Sequence, residues 1–261
     1  MNTATAQTAA DEKTTHVDYL LQLADTSLVL GQRLGELLGH APTIEEDLGL
    51  ANISLDLMGQ ARLLLTHAGA LEGRGRTDDQ LAFLRAERDF RNLTLAELPN
   101  GDFAQTIVRQ MLIDAYQLEL YEHLQHSTDT QLAAIAAKAL KETRYHFRYS
   151  GSWLVRLGDG TEESHRRAQR ALDQLWLYTR EFFDEQSEDR ILQRLGIAPP
   201  LGELETRWSA EVDNVLREAT LKRPAAAPFR WYGRRGVHTE HLGHMLTDMQ
   251  YLQRAYPGAE W

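Results

Sequence analysis

Four polar side chains occupy positions where a helical pattern would normally bury carbon. Asp25 lies between Leu21 and Leu28, Asp114 lies between Met111 and Leu118, and Asp56 and His146 each fall mid-way along a long helical pattern. Asp25 and Asp56 are 31 residues apart, and Asp114 and His146 are 32 apart. Two helical hairpins of matching length would therefore set one carboxylate or imidazole apiece at similar depth. Such groups converging inside a bundle are the donors of a di-iron centre. A complete centre takes one Glu from each of two helices and a Glu-x-x-His from each of two others, because i and i+3 share a helix face.

The set is incomplete. If Asp56 and His146 hold the histidine places, Ile53 and Thr143 stand where the glutamates belong, and Glu142 is one residue off the face. Glu-x-x-His occurs once, at Glu162–His165, in the first turn of a helix, where a carboxylate is favoured by the helix dipole without any metal. A buried charge must be paired or metallated. The expectation is a vestigial site at Asp25, Asp56, Asp114 and His146 with no metal, the aspartates being neutralised by Lys138, Lys141 or Arg62.

Two further groups could do chemistry. His238, His241 and His244 recur every third residue. Each step turns the helix by about 60°, so only neighbours could share an ion. With Glu240 they could hold zinc, but the plainer expectation is a polar helix start, capped by Thr239, in a subunit interface. His238, Glu240, His241 and the terminal Trp261 are thus interface candidates, the last as an aromatic anchor. Arg85, Arg88 and Arg91 surround Phe90. A solvated amphipathic helix explains them. The sharper hypothesis is an edge of Arg88, Asp89, Phe90, Arg91 and Asn92 that touches a phosphorylated, adenine-bearing ligand, guanidinium groups meeting phosphate and the ring stacking on adenine.

The elements that must position these residues are helices throughout, since no stretch alternates like a strand. The pattern predicts helices at about 17–38, 44–68, 80–91, 103–126, 131–157, 162–184, 202–220 and 239–256. Thr43 and Glu46 suggest a capping box, Gly69 a stop and Asp102 a cap. The four long helices pair as two hairpins with a longer excursion between them, the layout of an all-α, ferritin-like four-helix bundle with additional C-terminal helices. Residues 1–14, rich in Ala and Thr without a basic start or an apolar core, are expected as a disordered tail rather than a signal peptide. Residues 15–261 are expected as one domain.

Composition bounds the function. The 261 residues are 43% hydrophobic and 25% charged, enough for a sizeable core, and carry no cysteine. Disulfides, thiolate metal sites and cysteine nucleophiles are excluded, and a cytoplasmic location fits. A net charge of -10 argues against nucleic acid as a partner. No apolar run is long enough for a membrane span. There is no Gly-x-Ser-x-Gly and no phosphate-cradling glycine loop; Gly73-Arg74-Gly75-Arg76 lacks a preceding strand and is expected as a flexible turn.

The blocks LGQRLGELLGHAP, ANISLDLMGQAR, FLRAERDFRNL, LPNGDFAQTIVRQ and AIAAKALKETRYHFR, with the ending HTEHLGHMLTDMQYLQRAYPGAEW, resemble the C-subunit family of phenylacetyl-CoA 1,2-epoxidases over residues 17–261. The ending is the most specific part. The resemblance implies a ferritin-like, non-catalytic subunit without iron or other cofactor of its own. It also implies a related di-iron catalytic subunit that holds the acyl-CoA, a small accessory subunit, and a reductase with flavin and iron–sulfur centres fed by NADPH. Self-association of the chain is compatible with this. The rivals are a di-iron monooxygenase in its own right, with Asp25, Asp56, Asp114, Glu142 and His146 as ligands, and a stand-alone metal-binding protein. The short ligand count tells against both.

Overall fold

The computed structural model describes residues 2–226 and 229–259, with side chains from residue 11 onward. Among these residues there are helices, turns and one isolated bridge between Tyr232 and Val237, but no β-strand. Two hairpins form the bundle, α1 (Asn2–Gly35) with α2 (Ile44–Glu72) and α5 (Phe103–Leu124) with α6 (Thr130–Gly158), and α2 lies against α6. Between them the chain crosses over through α3 (Asp78–Phe83), a 3-10 turn at Glu87–Asp89 and α4 (Thr94–Glu97). Then come α7 (Glu162–Leu175), a 3-10 stretch at Trp176–Phe183, α8 (Ser187–Arg194), α9 (Leu201–Glu218) and α10 (Glu240–Ala255). Helices α7 and α9 cover α5 and α6, whereas α10 packs on α3 and the 3-10 turn. One contiguous apolar cluster runs from Val17 and Leu20 on α1 to Leu242 and Leu246 on α10.

Several boundaries differ from the sequence pattern, each for a physical reason. α1 begins at Asn2 rather than near Val17, so the stretch expected as a disordered tail is helical backbone. It contains no Gly or Pro and four alanines, the best helix former, and Lys13 Nζ donates to the Glu72 carbonyl at 3.3 Å. Gly69 does not stop α2. It is a close-approach position, since a Cβ there would sit 2.4 Å from the Arg76 carbonyl oxygen. The stop is Gly73, in the left-handed region at φ 75° with its amide bonded to the Gly69 carbonyl.

The capping box at Thr43 closes on one side only. Thr43 accepts a long 3.5 Å bond from the Glu46 amide, while the Glu46 carboxylate takes the Tyr149 hydroxyl at 2.5 Å instead. The helix expected over 80–91 breaks after Phe83, and α8 forms where none was expected. Asp102 caps α5 as anticipated, through the Gln105 amide at 2.9 Å. Among the described residues no helix is long and apolar enough to cross a membrane.

Candidate functional site

The four mid-helix candidates are split between two places. Asp25 is fully buried on α1 and belongs to the crossover. Both its oxygens accept the Arg85 guanidinium, one of them from Nη1 at 2.9 Å, and the same oxygen takes the Arg91 amide at 2.8 Å. The guanidinium also lies 4.3 Å over the Phe90 ring and donates to the Asp89 carbonyl at 3.0 Å. The cation that neutralises Asp25 is therefore Arg85, not Lys138, Lys141 or Arg62. Lys138 leans on Glu142 at 3.7 Å, and Arg62 on Asp78 at 3.2 Å.

The other three remain together on the second hairpin and α2. His146, with a side chain wholly out of solvent, meets the Asp56 carboxylate through Nε2 at 3.0 Å. Asp56 is not in the bundle interior as expected; 38% of its side chain is exposed. Asp114 is completely buried and accepts from Gln110 Nε2 and Ser150 Oγ, both at 2.7 Å. Burial pushes its carboxyl up to about 6, against the pull of His146 and the Ser150 and Gln110 hydrogen bonds.

Ile53 and Thr143, at the two expected glutamate places, do face the interior and are fully buried. Neither can supply a carboxylate, and Thr143 Oγ1 has no partner. Glu142 is engaged by Gln60 Nε2 at 3.0 Å. A six-ligand di-iron set does not fit these residues. The interior offers serine, threonine and glutamine in place of carboxylates, and Asp25 is saturated by Arg85. Glu162 is exposed in the first turn of α7, and His165 Nδ1 lies 2.7 Å from the Gly158 carbonyl oxygen at the end of α6.

The histidines near α10 do not form a triad. The side chain of His238 is out of solvent, with Nδ1 2.8 Å from Glu97 Oε2 and Nε2 3.0 Å from the Phe90 carbonyl oxygen. Burial alone would lower its pKa, but the Glu97 bond and charge and the Phe90 carbonyl outweigh it and raise it. Both ring nitrogens face acceptors, so the imidazolium is the species that satisfies the site and no nitrogen is open to zinc. As an interface candidate His238 is thus corrected to an internal residue. Thr239 takes the cap position, but its hydroxyl makes no capping bond. Glu240 is exposed, His241 is half-buried, and Trp261 lies outside the described residues.

The arginine edge is reduced in the same way. Phe90 and Asn92 are fully buried. Phe90 has Arg85 on its face, so it offers no ring to an adenine, and Asn92 donates to Glu97 Oε2 at 2.8 Å. Asp89 caps the Ala86 amide at 3.1 Å. Arg88 is exposed and Arg91 half-buried. Arg91 and Asp89 border a cleft of about 460 Å³ also lined by Lys13, Arg74 and Arg76.

One constellation went unnoticed in the sequence. His16 of α1, His67 of α2 and Asp129, the cap of α6, bring their ligand atoms within 4.8 Å of one another. Among the described residues this is the group of three or more histidine or carboxylate side chains that converges so closely. The available signal was the hairpin itself, since the pairing that sets Asp25 at the depth of Asp56 also brings His16 towards His67.

A family model described as phenylacetic acid catabolic protein matches residues 1–261. The chain belongs to that family. Within it, the chain is 53% identical over 243 residues to the C-subunit of the 1,2-phenylacetyl-CoA epoxidase of Escherichia coli strain K12, covering 93% of this chain and 98% of that one. The family is ferritin-like, in agreement with the two-hairpin bundle and its single crossover.

Proposed function

We propose that this chain is a non-catalytic, structural subunit of a multicomponent phenylacetyl-CoA epoxidase, which binds and stabilises a di-iron catalytic subunit of the same fold. The observation that carries this reading is the bundle centre. It keeps Asp114 and His146 buried at mid-helix but fills the glutamate places with Ile53 and Thr143 and commits Asp25 to Arg85. The likeness to an epoxidase C-subunit supports a place in such a multi-subunit complex. In that assembly the iron belongs to the catalytic subunit, a small accessory subunit takes part, and flavin, iron–sulfur centres and NADPH belong to a reductase.

A docking surface for the catalytic subunit is offered by the outer side of α2. Ile44, Leu48 and Leu55 share one face there and are 71%, 61% and 68% exposed. Apolar side chains aligned along a helix in water mark a contact surface rather than a solvated face. Leu55→Asp is expected to abolish co-purification with the catalytic subunit while leaving this chain folded.

The deciding experiment is iron per chain by elemental analysis, on the chain expressed alone and then with its catalytic partner. Near-zero iron alone and about two irons in the co-purified complex, as a ferritin-like di-iron protein carries, is the expected result. Two tightly held irons in the isolated chain would overturn the scaffold reading in favour of the rival, a di-iron monooxygenase in its own right. A second element of the proposal is that Arg88, which is exposed, and Arg91, which borders the cleft, touch the coenzyme A moiety of the partner's substrate. The double variant Arg88→Ala, Arg91→Ala should raise the complex's KM for the acyl-CoA; an unchanged KM removes that element and leaves the scaffold reading intact.

A further inference from the structure

We propose that His16, His67 and Asp129 form a binding site for one divalent transition-metal ion, zinc by its donor chemistry, which clamps together one end of α1, α2 and α6. This site is remote from the bundle centre. His16 is nine residues along α1 from Asp25, and His67 eleven along α2 from Asp56, separations of about 13 and 16 Å at the helical rise. It does not depend on whether the bundle centre holds iron.

Two imidazole nitrogens, from α1 and α2, meet at one oxygen of the α6 cap. His67 Nε2 lies 2.6 Å and His16 Nε2 2.8 Å from Asp129 Oδ2. The carboxylate is fixed before any ion arrives. Its other oxygen accepts the amides of Gln131 and Leu132, both at 3.0 Å, and the Asp129 amide donates to Ser127 Oγ at 3.2 Å. Asp129 is thus held by its duty as a helix cap, with Oδ2 left to act as a single-oxygen ligand. Preset donors of this kind lower the ordering cost of binding a metal.

The two imidazoles are not equivalent, and the difference favours a cation over a pair of hydrogen bonds. His67 is placed to hydrogen-bond Oδ2. His16 Nε2 is as near, at 2.8 Å, but is less well aligned on Oδ2, and it is buried without any other partner. Two imidazole nitrogens crowded on one carboxylate oxygen, only one of them well aligned, are a costly arrangement in a half-buried place. A metal ion accepting both lone pairs removes the cost. Two neutral imidazoles and one carboxylate oxygen, with no thiolate, are a ligand set that zinc takes readily, with water in the fourth position. Tetrahedral ligands at zinc distances are about 3.3 Å apart, so binding would spread these donors by roughly half an ångström, a small rotation of the two rings.

The test uses the full, untagged chain, stripped with a chelator and titrated with zinc and with cobalt, the latter for its visible spectrum. The expected result is one equivalent of either metal per chain, the cobalt bands of a nitrogen- and oxygen-ligated low-coordinate ion, and a higher Tm with zinc but not with magnesium. His16→Ala should weaken binding at least about tenfold, the lower range for losing even an outer partner of a metal ligand. Asp129→Asn is the second variant. Its side-chain oxygen can still cap α6, so the chain keeps its fold while the ligand oxygen is replaced by an amide nitrogen, and it too should lose the cobalt bands. No zinc binding by the wild-type chain overturns the proposal. So does binding that is equally tight in both variants.

Discussion

In the middle of the bundle, the fully buried carboxylate of Asp114 meets a glutamine amide and a serine hydroxyl, with His146 near enough to be felt only as charge. In the crossover and its surroundings, by contrast, three buried carboxylates meet cations. Asp25 meets Arg85, Glu97 meets His238, and Asp189 meets Arg234 at 2.5 Å. These partners come from 60, 141 and 45 residues away in the chain. The two regions show two ways of placing charge in a low-dielectric interior. One keeps neutral partners and lets protonation adjust. The other makes each charge conditional on a distant segment arriving, so that the pair acts as a tertiary crosslink, and an absent partner is far more damaging than an absent pair.

The comparison can be broken most severely at Arg85. Arg85→Ala leaves Asp25 charged and sealed, and should cost about 3–5 kcal/mol in urea unfolding. Adding Asp25→Asn should recover part of the loss in a double-mutant cycle. A loss below about 1 kcal/mol would mean that the crossover charge is no more demanding than a surface pair.

His238→Gln comes next, at about 2–4 kcal/mol, because it removes a buried charge-assisted bond to Glu97. The pH dependence sharpens the point. The folded pKa of His238 is raised above 6.5, so its contribution is fully present below that value and drains away as pH rises through the folded pKa. Wild-type Tm should fall over that window, and the Gln variant should lose that part of the slope.

Asp114→Asn tests the bundle side, with a smaller and opposite effect. The folded carboxyl titrates at about 6 against an ordinary 3.8. Between those values the native state holds the proton that the unfolded chain releases, so stability falls as pH rises from about 4 to 6. The Asn variant should flatten that segment and be more stable at neutral pH, by about 1–3 kcal/mol. Asp56→Asn should be the mildest, about 1 kcal/mol or less, since a carboxylate with more than a third of its side chain in water gains little from its histidine. A loss as large as that of Arg85→Ala would place His146 with the crossover pairs instead.

The four bundle helices were legible because each carries a long apolar stripe and a local stop or cap, as with Asp102 before α5. Local signals of that kind are complete within one turn. The crossover was not legible. A helix expected over 80–91 gives way to a short helix and a 3-10 turn, in a segment where Arg85 reaches Asp25 and its carbonyl is taken by α10. Tertiary demands there override propensity. The site was half-visible for the same reason. Spacing and polarity located Asp114 and His146 at their depth, but the cation for Asp25 comes from outside the bundle helices. The cluster of His16, His67 and Asp129 needed three helix ends to be brought together before it could be seen.

The docking of α10 bears on the order in which the chain matures. Gln250 Nε2 donates to the carbonyls of Ala82 and Arg85, and Arg254 to that of Arg85, across 165 to 169 residues of sequence. Contacts of such range form late, because a long loop must close before they reward it. During synthesis, at about 5–20 residues per second, both hairpins emerge and can pair while the Ala82 and Arg85 carbonyls still wait for their donors. For many seconds the nascent chain is thus a bundle with an unlatched crossover. In that interval the arginine that seals Asp25 is most open to exchange with solvent, to chaperones and to misplacement.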